Sequence, residues 1–180
     1  MSRIEQSGDR AAAATAATRP GRPRPAWLAP STLALTVVGL GVSTYLTVEH
    51  FTNNATLACS IGGVVDCAKV TTSAWSTFMG IPVALLGLVF FLVLLPLVWP
   101  STWRSRAGWL DPVRLGWVTV GLGMVLYLVW AELYRIHAIC LWCTAVHVVT
   151  FLLWVLVLFG QILSGPADAG SAAALDDVEA

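Results

Sequence analysis

The chain has 180 residues, 57% hydrophobic and 11% charged, with ten Lys plus Arg against ten Asp plus Glu. Soluble domains are usually about a quarter charged, so this composition argues against a water-facing globule, and the neutral balance gives no sign of a nucleic-acid partner. The length suits one domain, and nine Trp suit a protein anchored at two membrane interfaces.

Residues 1–25 are rich in Ala, Thr, Arg and Pro, without apolar periodicity, and are expected to be a disordered segment. A signal peptide is the competing reading of this end. The apolar stretch that follows is long for one and has no convincing small-residue cleavage site, so a retained helix is expected. Four stretches reach the length of about 20 apolar residues that crosses a bilayer, or approach it. They are residues 27–48, 78–99, 115–131 and 138–163, and none contains Asp, Glu, Lys or Arg. The only His inside them is His147. Between the first two lies a polar loop, 49–77, with Glu49, His50, Asn53, Asn54, Asp66 and Lys69, a Gly62-Gly63 pair that makes its middle flexible, and room for a short surface helix near 69–75. A basic loop, 100–112, joins the second and third. A very short connection, 132–137, holds the fourth against the third. In it Glu132 and Arg135 are three apart and read as an interfacial ion pair, with catalysis by Glu132 the less favoured alternative. The acidic tail, 164–180, is expected to be disordered.

Arg3, Arg10, Arg19, Arg22 and Arg24 precede the first span, and Arg104, Arg106 and Arg114 separate the second from the third. The other side holds only Lys69 and Arg135. Under the positive-inside rule both termini face the cytoplasm. The expected architecture is an all-α integral membrane protein of the plasma membrane. It is a four-helix transmembrane bundle over residues 26–163 with a half-embedded extracytoplasmic loop.

All four cysteines then lie on the outer, oxidising side. Cys140 and Cys143 form a CxxC where the last span begins. There the unsatisfied backbone N–H groups and the helix dipole favour a thiolate at the first cysteine, Cys140, which is expected to be the one a partner thiol reaches. Cys143 sits about a turn deeper, where a quinone ring would dock. Cys59 and Cys67, eight apart around Gly62-Gly63, can close a disulfide and swing toward the CxxC, and exchange needs such an approach. A structural staple is an open alternative for this pair. A zinc site is disfavoured by the long Cys-x7-Cys spacing, so no metal is expected. His147, one turn after Cys143 on the same face, reads either as a quinone or proton partner or as a helix–helix hydrogen bond. His137 reads either as a neighbour that stabilises the Cys140 thiolate or as an exposed interface residue.

The pattern Cys59-x7-Cys67, with Ser73 and Trp75 after it, Phe78-Met79-Gly80-Ile81-Pro82 opening the second span, and Cys140-Leu141-Trp142-Cys143 late in the chain, resembles the vitamin K epoxide reductase family in its bacterial branch. The resemblance covers about residues 33–163. In quinone reductases of the DsbB type the CxxC comes in the first outer loop; here the order is reversed. The resemblance implies that Cys59 and Cys67 shuttle electrons from a thioredoxin-fold partner. It also implies that Cys67 pairs transiently with Cys140, that Cys143 serves the quinone, and that Ser73 and Trp75 belong to a loop helix capping the site. Animal relatives carry a Tyr where this chain has His147, and an Asn near Ser76 and Thr77 is missing, so disulfide formation with an ordinary bacterial quinone is expected rather than epoxide reduction. Menaquinone is favoured over ubiquinone. The thioredoxin-like domain fused in some relatives has no counterpart here, so a separate periplasmic DsbA-like partner is expected. A DsbB-like reductase, an epoxide reductase, and a membrane scaffold with structural disulfides remain the alternatives.

Overall fold

The computed structural model describes residues 25–53, 57–59, 64–104 and 109–164. The expected terminal disorder falls outside these residues, save Pro25 and Ser164, and so do Gly62-Gly63 and Arg106. Two units are distinguished, Ala26–Leu158 and the pair of terminal segments, Met1–Pro25 with Phe159–Ala180. The described part of the second unit is Pro25 and the helical residues from Phe159 to Ser164.

The protein is mostly helical. Helix α1 (Leu28–Phe51), the short α2 (Cys67–Thr71), α3 (Val83–Leu97), the short α4 (Pro100–Arg104), α5 (Leu110–Ala131) and α6 (Leu141–Ser164) follow in order, with a two-stranded hairpin, β1 (Thr77–Phe78) and β2 (Ile81–Pro82), before α3. Among the described residues three helices are long and apolar enough to cross a membrane: Leu28–Phe51, Leu110–Ile136 with the turn that extends α5, and Leu141–Leu163. Their outward faces are apolar. Val37, Val48, Val120, Leu126, Val148 and Phe151 are all exposed, as expected when the surrounding solvent is hydrocarbon.

The second expected span is shorter as a helix than its apolar run. Residues 78–82 form the hairpin instead, and α3 has 15 residues, about 22 Å. The two-residue loop Met79-Gly80 has φ of 52° and 82°, the left-handed pair that a tight hairpin turn requires and that Gly80 supplies without strain. Pro82 then fixes the chain at the helix entrance. The first span runs further than expected, to Phe51, and takes in Glu49 and His50. The third begins at Leu110 and takes in Asp111 and Arg114.

α1, α3, α5 and α6 share one core of Leu28, Phe91, Leu94, Val118, Val149, Leu153 and their neighbours. Phe91 lies on Gly39 so closely that a Cβ there would collide with its ring, and Phe90 meets Gly121 in the same way. Small residues at such crossings let helices approach where no water drives them together. Several polar groups inside the apolar setting find partners within the protein. The hydroxyls of Thr36 and Thr47 donate to the carbonyls of Thr32 and Ser43 one turn back. The Trp117 indole donates to the Phe90 carbonyl, and that of Trp154 to the Thr119 hydroxyl. Arg114, fully buried, is no loop charge. It donates to the Leu97 carbonyl at 2.9 Å and to Asp111 at 2.8 Å, and lies 3.8 Å over the Trp103 ring. A cation at the C-terminus of α3 also complements its dipole.

Candidate functional site

A smaller buried cluster gathers Cys67, Val70, Ile136, Ala138 and Cys140, with Cys59, Trp75, Trp142 and Cys143 packed against it. All four cysteines thus belong to one cluster, although Cys67 and Cys140 are far apart in sequence. Cys59 and Cys67 are joined by a disulfide, with their Cα atoms 6.0 Å apart. Cys140 and Cys143 are free thiols.

Backbone pairing brings the loop to the CxxC. Val65 and Ile139 form a parallel bridge, in which the Ile139 N–H donates to the Val64 carbonyl at 2.9 Å and the Asp66 N–H donates to the Ile139 carbonyl at 3.2 Å. Asp66 then caps α2, its carboxylate accepting the Lys69 N–H, so Cys67 opens a helix two residues after Val65 of the bridge. The other end of the pair is clasped from both sides. The Ala58 N–H donates to the Tyr45 hydroxyl at 2.9 Å, and the Ala58 carbonyl accepts the Trp142 indole N–H at 2.8 Å. Tyr45 and Trp142 meet edge to face, centroids 5.0 Å apart. Neither residue is marked by the sequence pattern, though Trp142 lies within the CxxC.

Cys140 is the N-cap of α6. Its carbonyl accepts the Thr144 N–H, the first helical bond, and its sulfur accepts the Cys143 N–H at 3.2 Å. Its thiol pKa lies below the ordinary value. The main cause is the hydrogen bond from the Cys143 thiol, with the Cys143 and Trp142 amides adding to it, against burial and the nearby Glu132 carboxylate. Yet Cys140 is fully buried while Cys59 is only half-buried. Cys140 is thus the less exposed of the two, although it was expected to be the cysteine that a partner thiol reaches.

Below the loop lies a cavity of about 500 Å³ among α1, α3, α5, α6 and the hairpin. Its wall is chiefly apolar and aromatic, including Leu46, Trp75, Phe78, Phe90, Trp117 and Met124. Cys143 and His147 line it as well, with the polar side chains of Ser43, His50, Ser76, Thr150 and Glu132. That size and lining fit a flat ring with an apolar tail, and Cys143 in the wall fits two-electron exchange with it. Trp75 and His147 belong to this wall. Ser73 does not line it; its hydroxyl donates to the Val70 carbonyl and its carbonyl accepts the Ser76 N–H, which joins α2 to the next turn. His137 is exposed, in the left-handed conformation.

The expected Glu132–Arg135 ion pair does not form among the described residues. α5 ends in one π-helical turn, Glu132–Ile136, which turns Glu132 inward to 6% exposure. The Arg135 guanidinium lies 5.0 Å over the Trp75 ring.

The sequence profile of the vitamin K epoxide reductase family matches residues 30–158, well over half of the chain. This chain belongs to the vitamin K epoxide reductase family. Members of the family are oxidoreductases that use quinones and work with thioredoxin-like partners. The match spans α1 through most of α6, and so includes both cysteine pairs and the whole cavity wall. The apolar helices and the family together make this a multi-pass membrane protein.

Proposed function

We propose that this protein reoxidises a thioredoxin-fold partner on the extracytoplasmic face of the plasma membrane and delivers the electrons to a membrane quinone. On this reading residues 26–163 are a four-helix transmembrane domain with a half-embedded loop. A partner thiolate attacks Cys59, the more accessible sulfur of the loop disulfide, and releases Cys67. The oxidised partner leaves when its second thiol resolves the mixed disulfide. Cys67 then attacks Cys140 of the oxidised CxxC and frees Cys143, and Cys59 resolves the Cys67–Cys140 bond. The result is a closed loop pair and a reduced CxxC, the state described above. A bound quinone accepts two electrons and two protons from that dithiol. Cys143 faces it, Trp75 and Phe78 bound the ring, and His147 is a hydrogen-bond partner. Menaquinone is the favoured quinone and a periplasmic DsbA-like protein the favoured partner.

The observation that carries this reading is the shared burial of Cys67 and Cys140 in one cluster, with Cys143 alone of the four in the cavity wall. A structural staple needs neither. The test is turnover of purified full-length protein with a reduced thioredoxin-fold protein and menadione. Cys140→Ala and Cys143→Ala abolish turnover. Cys59→Ala and Cys67→Ala abolish it with the protein thiol but retain it with dithiothreitol. Four single variants that all match wild type would end the enzyme reading.

A further inference from the structure

Glu132 has no role in the electron route just described, yet its position is unusual. It is nine-tenths buried and is the one acidic side chain on the cavity wall. It shares that wall with Cys143, which lies in the first turn of the helix that Cys140 caps. Among the described residues it forms no ion pair, because Arg135 on the same turn is spent on Trp75 and Trp130. The other titratable groups of the wall are His50 from α1 and Cys143 and His147 from α6, while Asp66, just before α2, accepts the backbone N–H of Lys69. The π-helical turn that delivers Glu132 is a rare element, and such turns cluster at functional sites.

A carboxylate this close to the dithiol opposes a negative charge on Cys140. In an apolar surrounding two such charges do not coexist cheaply. We propose that Glu132 is the proton acceptor for the Cys140–Cys143 dithiol, taking a proton as the disulfide forms and passing it on into the cavity. The inference rests on the quinone-linked reading above and adds the route of the protons. Two S–H bonds break and one S–S bond forms, releasing two electrons and two protons. The Glu132 carboxylate takes the Cys140 proton, while the electron pair and the Cys143 proton leave through the cavity wall. Glu132 then gives up its proton to the two-electron acceptor, a quinone, and returns to the carboxylate. The acceptor has gained two electrons and two protons.

The test uses the full-length protein in lipid nanodiscs. In a Cys59→Ser/Cys67→Ser background, redox-difference infrared spectra are taken against dithiothreitol and its disulfide, with no quinone present. A protonated-carboxyl band that changes with the state of the CxxC is expected, and it is absent from Glu132→Gln. In the otherwise native protein, Glu132→Gln lowers kcat for menadione reduction by dithiothreitol at least tenfold with KM within twofold, and Glu132→Asp restores part of it. Gln keeps the size and the hydrogen-bonding capacity of the buried side chain, so a purely structural role predicts a wild-type kcat and pH profile. A band that survives in Glu132→Gln, or a wild-type kcat, overturns the proposal. Should the Gln variant not fold, isotopic labelling of glutamate assigns the band in the parent, and a band that does not shift overturns it equally. A wild-type protein that reduces no quinone would sink the quinone reading, while the infrared arm still decides Glu132.

Discussion

Cys140 does for α6 what Ser or Asp does at most helix starts: its side chain accepts an N–H from the first turn. The same bond that caps the helix stabilises a thiolate, so folding and reactivity share one interaction. The larger contribution comes from the Cys143 thiol. In Cys143→Ala that donor is gone, and the pH at which Cys140 becomes thiolate moves up. Measured as the pH dependence of methanethiosulfonate labelling in a Cys59→Ala/Cys67→Ala background, the reactivity midpoint of the variant lies above that of the protein with Cys143 intact. An unchanged midpoint would mean that the backbone donors alone set it. The four cysteines were legible in the sequence because thiols gathered around a CxxC have few other uses. Glu132 was not. Its spacing from Arg135 suggests an ordinary i,i+3 pair, and only the π-helical turn, which shifts the helical phase, sends the two side chains to different places.

At the scale of elements, apolar run length located every long helix, because burying backbone in hydrocarbon demands helix. Run length did not find the ends. The 78–82 segment is apolar like the helix after it, and only the Met79-Gly80 turn and Pro82 separate them. That separation leaves α3 short and puts Phe78, Met79 and Ile81 on the cavity wall. At the other end of α5, Arg114 ties α3, α4 and α5 together through Leu97, Asp111, Thr102 and Trp103. From the sequence it was a charge flanking the third span, since nothing local shows a long-range acceptor such as the Leu97 carbonyl. Arg114→Lys keeps the charge but loses the planar fork and the stack on Trp103. It is expected to destabilise the protein by about 2–3 kcal/mol, read as a lower unfolding midpoint in detergent. Glu132 lies about 27 Å along the axis, so turnover with dithiothreitol and menadione stays at the wild-type level below that midpoint.

For the whole molecule, the parallel bridge at Ile139 and the clasp of Tyr45 and Trp142 on Ala58 convert a loop into a lid that carries two sulfurs over the start of α6. Cys140 is buried under the loop and Cys143 lines the cavity, so the two cysteines of one motif have different surroundings. On the proposed route, electrons from a protein thiol reach the cavity through Cys67 and Cys140. The measurement that addresses this most directly is disulfide mapping of the full-length Cys59→Ala/Cys143→Ala variant after mild oxidation. Mass spectrometry of its peptides is expected to find Cys67 bonded to Cys140 in most molecules. Two thiols that stay free, or that link only between molecules, would contradict the account.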